Sequence, residues 1–369
     1  MNGLIMIANK YKPLLSLLAL NFTRHPQRSM NYLRACLTAV QRPANIRNSP
    51  VSVHIEPTTA CNLKCTTCQR TYSSDLNLGS MSFDNFKKVF DQFPYLLGSH
   101  QLQTGLLITG LGEPFLNRDI LRMIRHAKDQ GCPYVHIITN GTALSETIRQ
   151  GIVESGLDHI SVSMDGATKE TFESIRIGAK FEKVVSSIKD LAKRRTTRHK
   201  PFIDLNITIQ DQNNNELEGV IDLAFEMGAD RVSARVLNSD FAHDKVVSST
   251  DFSDEKATRA KLYARAKDLQ FRYADDDSDP CLYPWLWPYI TWNGYVTPCC
   301  YRSDPRTFNF GNLLEVPFND IWNGSKYRDF RKSLLSDTPP DICRQCPKCP
   351  SAYISARKAL ANDEPKATR

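Results

Sequence analysis

Cys61-Asn62-Leu63-Lys64-Cys65-Thr66-Thr67-Cys68 places three thiols in one short stretch, spaced C-x3-C-x2-C. Three thiols so close cannot all pair as disulfides. As thiolates they can wrap one face of an iron–sulfur cluster, and a 4Fe–4S cluster offers four ligand positions. Three protein ligands leave one iron open, and an open iron is where a small molecule chelates. Zinc is the competing occupant, but a structural zinc asks for four ligands, commonly in C-x2-C pairs. A second cysteine system follows far downstream: Cys281, Cys299, Cys300, Cys343, Cys346 and Cys349. Cys36 and Cys132 stand apart and read as ordinary buried thiols.

The elements that must position these residues begin at residue 51. The run Val51-Ser52-Val53-His54-Ile55-Glu56 alternates like a strand, and short β-branched runs recur at 106–109, 134–139, 159–163, 202–209 and 231–236. Helical patterns fall between them at 82–97, 117–130, 144–155, 168–194 and 215–227. Strands alternating with helices indicate βαβ units and a parallel sheet. Six units fall short of the eight of a closed barrel. Gly131, Gly141, Gly156, Gly166 and Gly228 mark turns. The chemically unusual residues gather at the carboxyl ends of successive strands, where parallel α/β sheets place their ligands. There lie the cysteine loop, Gly110-Leu111-Gly112-Glu113-Pro114, Thr139-Asn140-Gly141, and Ser161-Val162-Ser163-Met164-Asp165.

The chain of 369 residues has room for one large domain and a smaller one. Eleven cysteines without a convincing secretory signal suggest metal binding in a reducing compartment, the cytoplasm. The net charge of +7 is uneven. Residues 1–50 contain Lys10, Lys12, Arg24, Arg28, Arg34, Arg42 and Arg47 and no acid, so the remainder is balanced. A main domain without a basic footprint argues against nucleic acid as partner. The apolar run 14–20 is far shorter than the ~20 residues a bilayer span needs. Residues 1–50 read as amphipathic helices outside the main domain, as a membrane-surface helix or as a targeting peptide.

The cysteine loop resembles the signature of the radical S-adenosylmethionine (SAM) enzymes. That resemblance implies a partial (β/α)6 barrel over residues 51–238, with a 4Fe–4S cluster on Cys61, Cys65 and Cys68. It implies SAM chelated to the open iron and cleaved to a 5′-deoxyadenosyl radical, with an electron donor such as flavodoxin or ferredoxin. Gly110-Leu111-Gly112-Glu113-Pro114 resembles the family's Gly-Gly-Glu-Pro segment, which holds the methionine amino group; Leu111 departs from it. Glycine backbone allows close approach and a carboxylate suits an ammonium. Ser161, Ser163 and Asp165 resemble the ribose- and carboxylate-binding positions, and Asn140 lines the same site or forms an ordinary turn. Thr67 stands where the family often has a bulky adenine contact. On strands five and six, Asn206, Thr208, Gln210, Ser233 and Arg235 read as a substrate-facing set or as a solvated face, with Arg235 as proton acceptor or anion partner.

Residues 239–280 read as linker and helix, ending in the acidic run Asp275-Asp276-Asp277. Residues 281–350 resemble the SPASM/twitch extension, a small C-terminal Fe–S domain that carries auxiliary clusters, and 351–369 read as a tail. The full SPASM form has seven cysteines with a C-x2-C-x5-C-x3-C block. Cys343-x2-Cys346-x2-Cys349 does not fill it, whereas Cys281, Cys299, Cys343 and Cys346 match the single-cluster twitch pattern. The expectation is one auxiliary 4Fe–4S cluster on those four. Cys300 and Cys349 are then spare, with Cys300 a candidate hydrogen-atom donor. The implied reaction is dehydrogenation or epimerisation of a small, hydroxylated, carbohydrate-like molecule. The alternatives are a peptide-modifying maturase and a two-cluster electron-transfer protein, the latter disfavoured by the SAM-type segments.

Overall fold

The computed structural model describes residues 25–73, 75–97, 105–197, 199–237, 253–274, 281–344, 346 and 348–350. Helix α1 (Pro26–Gln41) precedes β1 (Ser52–Ile55). The chain then alternates through α2 (Gln69–Tyr72), α3 (Phe83–Phe90), β2 (Gly105–Ile108), α4 (Ile120–Asp129), β3 (Val135–Thr139), α5 (Glu146–Ser155) and β4 (His159–Ser163). Next come α6 (Lys169–Ile175), α7 (Phe181–Arg194), β5 (Phe202–Ile209), α8 (Leu217–Met227), β6 (Arg231–Val236), α9 (Asp254–Ala266) and β7 (Gln270–Ala274). The C-terminal part adds α10 (Tyr283–Leu286), β8 (Tyr289–Ile290), β9 (Tyr295–Thr297), β10 (Gly311–Asn312), α11 (Phe318–Trp322) and α12 (Ser325–Leu334).

All strands join one sheet in the order β10-β9-β8-β1-β2-β3-β4-β5-β6-β7. Strands β1 to β7 pair parallel, as the alternation of strands and helices predicts. The two faces follow from the period of two. Ile160 and Val162 on β4, and Ile203, Leu205, Ile207 and Ile209 on β5, enter the main apolar core with the helices. Their alternates His159, Ser161, Asp204 and Asn206 form a polar opposite face.

The expected 168–194 helix is two helices, because the chain turns at Gly178 with φ 97. The stretch read as linker and helix supplies α9 and a seventh parallel strand, β7. The acidic run at 275–277, the tail from 351 and residues 1–24 lie outside the described residues.

Strand β8 pairs parallel with β1 (His54↔Tyr289, Ile55↔Ile290), so the C-terminal part continues the main sheet. The Asn293-Gly294 turn, Gly294 at φ 88, closes the antiparallel β8–β9 hairpin. Behind it Phe310 stacks on Tyr327 at 3.6 Å between ring centroids. Arg331 is fully buried between the rings of Trp322 and Tyr327, at 4.6 and 4.5 Å. Its guanidinium donates to Pro284 O at 2.8 Å and Ala44 O at 3.2 Å. One side chain thus pins α12 to α10 and to the chain leaving α1. No helix among the described residues is long and apolar enough to cross a membrane.

Candidate active site

The cysteine loop leaves the carboxyl end of β1, and its shape is set by a close approach of the Gly110–Pro114 turn. A Cβ on Gly112 would lie 2.3 Å from Thr58 O and 2.6 Å from Ala60 O, so this position excludes any larger residue. The Glu113 N–H donates to Ala60 O at 2.8 Å and locks turn to loop. Cys61, Cys65 and Cys68 are half-buried on that loop. Asn140 Nδ2 lies 3.8 Å from Cys61 Sγ, and Arg176 Nη1 lies 4.0 Å from Cys65 Sγ. Burial pushes the Cys61 thiol up, and the Cys65 thiol up to about 11. Without a metal these thiols hold their protons at neutral pH; coordination by iron releases them. Three thiols from one loop, with a cation and an amide donor aimed at two of the sulfurs, fit a 4Fe–4S cluster with one open position.

Glu113 is 2% exposed and fixed in orientation. It accepts from Thr139 Oγ1 at 2.6 Å, from the Phe115 N–H at 3.1 Å and from the Asn140 N–H at 2.7 Å. Burial pushes its carboxyl above the usual range, against those donors. Asn140 accepts from the Thr142 N–H and hydroxyl at 2.9 and 2.7 Å and donates to Asn62 Oδ1 at 3.2 Å. The end of β3 is thereby tied to the cysteine loop. Gly110, Gly112, Glu113, Pro114 and Asn140 therefore meet where the sequence places them.

The β4 residues divide. Ser163 is half-buried at the strand's carboxyl end. Ser161 is fully buried and engaged elsewhere, with His136 Nε2 at 2.8 Å and Asp204 Oδ2 at 3.4 Å. Asp165 accepts from the Thr208 N–H at 2.8 Å and pairs with Arg176 at 2.7 Å. Its carboxylate thus holds the guanidinium against Cys65. Arg176 has no signal in the sequence, because it follows α6 in an unremarkable Ile-Arg-Ile-Gly stretch.

On the polar face lies a layer the sequence did not reveal. His136 and His159 stack at 3.8 Å between ring centroids. Asp204 accepts from Arg231 at 2.7 Å and from Ser233 Oγ at 2.9 Å. Ser233 is thereby committed to Asp204, and Gln210 is buried, while Asn206 and Thr208 are half-buried. Arg235 is exposed at the end of β6.

Glu56 follows β1 beneath the Gly110 turn. A Cβ on Gly110 would lie 2.4 Å from Glu56 Cγ. Glu56 Oε1 accepts from the Leu111 N–H at 3.0 Å and from Tyr289 Oη at 3.3 Å. Burial pushes its carboxyl up to about 7. Two residues earlier, His54 meets the edge of the Tyr283 ring at 5.4 Å, and burial pushes its imidazole down to about 4.

The second cysteine system is drawn together by the backbone. The Cys281 N–H donates to Lys348 O at 2.8 Å, which brings it onto the 343–349 segment. There Cys281 interacts electrostatically with Cys346 and Cys349, Cys343 with Cys281, Cys346 and Cys349, and Cys299 with Cys281. Burial pushes the thiols of Cys281 and Cys343 up to about 12. Cys281, Cys343, Cys346 and Cys349 lie within electrostatic reach of one another, and cysteine thiolates are the ligands of iron–sulfur clusters. Cys300 lies beside Cys299, with its sulfur 3.5 Å from Tyr283 Oη and within electrostatic reach of Arg235. Of the two cysteines outside the expected ligand set, Cys349 lies with Cys281 and Cys343, while Cys300 lies beside Cys299 and against Tyr283.

Two family matches cover most of the chain's described length. The profile of the radical SAM superfamily matches residues 55–224, and that of the SPASM iron–sulfur cluster-binding domain matches residues 281–347. AdoMet-dependent heme synthase of Methanosarcina barkeri is 27% identical over 351 residues, 86% of this chain and 96% of that protein. PqqA peptide cyclase of Rhizobium meliloti is 27% identical over 333 residues, 85% of this chain and 84% of that protein. The crystal structure of Streptococcus suis SuiB bound to S-adenosylmethionine superposes with a TM-score of 0.64 at 14% identity, covering 93% of this chain and 90% of SuiB.

Proposed function

This chain belongs to the radical SAM superfamily and carries its SPASM iron–sulfur domain, and on that premise we propose that it abstracts hydrogen from a small, polar, hydroxylated molecule for dehydrogenation or epimerisation. Its cofactors are S-adenosylmethionine, the 4Fe–4S cluster that binds it, and auxiliary iron–sulfur chemistry in the C-terminal part. When bound, SAM supplies a 5′-deoxyadenosyl radical as the hydrogen abstractor. Cys61, Cys65 and Cys68 hold the first cluster, and Glu113, fixed by Thr139 and Asn140, accepts from the methionine amino group. Ser163 offers its hydroxyl to the SAM ribose. Cys281, Cys299, Cys343 and Cys346 hold one auxiliary 4Fe–4S cluster.

The observation that carries the reading is Cys300, whose sulfur lies against the Tyr283 hydroxyl and within electrostatic reach of Arg235. A guanidinium does not give up its proton in a protein, so Arg235 serves as anion partner and not as base. On this reading the Cys300 thiol serves as hydrogen-atom donor to a substrate held by Arg235. A ferredoxin or flavodoxin is the class of electron donor such a reaction uses. Peptide modification is the second reading, and the likeness to a peptide cyclase favours it.

The test is anaerobic turnover in deuterated water with SAM, reductant and host lysate split by ultrafiltration. A small-molecule product two hydrogens lighter, without solvent deuterium, identifies dehydrogenation. A product of unchanged mass formula carrying one deuterium, and lost in Cys300→Ala, identifies epimerisation. Stimulation of 5′-deoxyadenosine release by the peptide fraction alone transfers the chain to the second reading. Cluster-loaded protein that cleaves no SAM in any sample refutes both.

A further inference from the structure

Cys349 stands outside the four cysteines expected to hold the auxiliary cluster, yet the fold places it with them. It is 2% exposed, in a segment whose backbone turns once between successive cysteines. The Cys346 N–H donates to Cys343 O at 3.0 Å, and the Cys349 N–H to Cys346 O at 2.9 Å. Bonds from residue i+3 back to residue i close turns of three residues, so side chains at 343, 346 and 349 fall on one side. The first cysteine loop uses the same turn, with the Cys68 N–H donating to Cys65 O at 3.2 Å. The C-x2-C turn of the first loop thus occurs twice in tandem here.

Cys281 is tied to this row through its N–H, which donates at 2.8 Å to the carbonyl of Lys348, the residue before Cys349. Every pair among Cys281, Cys343, Cys346 and Cys349 interacts electrostatically. Cys299 is brought to the same segment by Arg302, whose N–H donates to Cys299 O at 3.1 Å and whose Nε donates to Ile342 O at 2.7 Å. Cys299 interacts with Cys281 and with its neighbour Cys300. Cys281 is therefore the thiol that Cys349 and Cys299 share. Among the described residues no three thiols close on a single ion. A four-iron cluster instead spreads its thiolates over four irons, one to each.

We propose that Cys349 is an alternative ligand of the auxiliary cluster and takes the iron that Cys299 would otherwise hold. Cys281, Cys343 and Cys346 are the fixed ligands, and the fourth iron passes between Cys299 and Cys349. With Cys349 bound, Cys299 is released beside Cys300, and two adjacent thiols then stand within electrostatic reach of Tyr283. This rests on the presence of an auxiliary cluster, and iron content separates failure of that premise from failure of the exchange.

Iron and sulfide analysis of full-length protein, reconstituted without oxygen, tests the exchange. Wild type, Cys299→Ala and Cys349→Ala are each expected to hold about eight irons per chain, and the double variant about four. Electron paramagnetic resonance should show two reduced clusters in the first three and one in the double variant. Cys343→Ala removes a fixed ligand and should also leave about four irons. The irons that remain on Cys61, Cys65 and Cys68 report that the fold survives in each variant. Cys299→Ser and Cys349→Ser repeat the comparison with side chains of nearly the same shape. About four irons in either single variant overturns the proposal, and so does full iron in the double variant. Wild type with about four irons, unaltered by Cys343→Ala, removes the auxiliary cluster itself and the exchange with it.

Discussion

Replacing Glu56 by glutamine separates the charge of this carboxyl from its shape. Folded, the group is pushed by burial from 4.5 to about 7. It therefore holds its proton to higher pH in the folded protein than in the unfolded chain. Folding is favoured below pH 4.5, where both states are protonated, and the contribution is lost as pH rises through about 7. At 1.36 kcal/mol per pKa unit the loss amounts to about 3 kcal/mol. Glu56→Gln keeps an oxygen acceptor for the Leu111 N–H and the Tyr289 hydroxyl but does not titrate. Guanidinium unfolding followed between about pH 5 and about pH 8 should show stability falling more steeply in wild type than in the variant, by about 3 kcal/mol. Glu56→Ala instead takes the acceptor from the Leu111 and Trp292 N–H groups and the Tyr289 hydroxyl, at about 1–3 kcal/mol each. Because Leu111 immediately precedes Gly112-Glu113, that variant should also bind SAM about tenfold more weakly, while the glutamine variant stays within about twofold. Identical pH slopes in wild type and Glu56→Gln would refute the assignment of the buried titration to this residue. Equal SAM affinity in the alanine variant would refute the tie to the turn.

Gly112→Ala forces a methyl group against Thr58 O and Ala60 O, and the backbone shift should cost about 1–3 kcal/mol; equilibrium dialysis should show SAM affinity down about tenfold or more. Arg176→Met strands the buried Asp165 carboxylate, so denaturant unfolding should show a loss of about 3–5 kcal/mol, largely recovered when Asp165→Asn is added. Iron analysis separates the spare Cys300 from the ligands: Cys346→Ala should lower iron from about eight to about four atoms per chain, whereas Cys300→Ala should leave it unchanged.

Six strands were legible because Ile and Val fill the helix-facing positions at a period of two, as at Ile160-Ser161-Val162. The cysteine loop and the Gly112-Glu113-Pro114 turn were legible because few chemistries use those residues at that spacing. Strand β7 was not: Gln270-Phe271-Arg272-Tyr273-Ala274 alternates, but this edge strand offers only two large apolar residues, Phe271 and Tyr273, directly ahead of the acidic run 275–277. The 168–194 segment keeps a helical pattern on both sides of Gly178, and only its backbone shows the break. Ser161 and Ser163 read alike because they share a strand face, yet two residues' rise leaves Ser161 with His136 and Asp204 and Ser163 at the rim. Arg176 and Glu56 owe their significance to partners distant in sequence, Cys65 and Asp165 for one, Leu111 and Tyr289 for the other. No local pattern encodes such pairings.

The register of β8 on β1 decides how the two cysteine systems relate. A parallel bond between these strands sets Tyr289 beside His54, and Tyr283, earlier in the same extension, meets the His54 ring edge. Tyr289 reaches Glu56, which holds the turn bearing Glu113, while Tyr283 reaches Cys300. The extension therefore supplies part of the polar wall against which the first cysteine loop and the Gly110–Pro114 turn are set. An appended electron store would need only proximity to the barrel. A wall shared through β1 makes the position of Cys299 and Cys300 depend on the same strand that delivers Cys61. Disturbing β8 should accordingly be felt at the SAM turn, and Tyr289→Phe is the mildest way to ask. It removes one hydroxyl from Glu56 and no packing, so a loss of SAM affinity of about fivefold, with the iron content of both clusters unchanged, is the expected result. An affinity equal to wild type would mean that the extension touches the turn without positioning it.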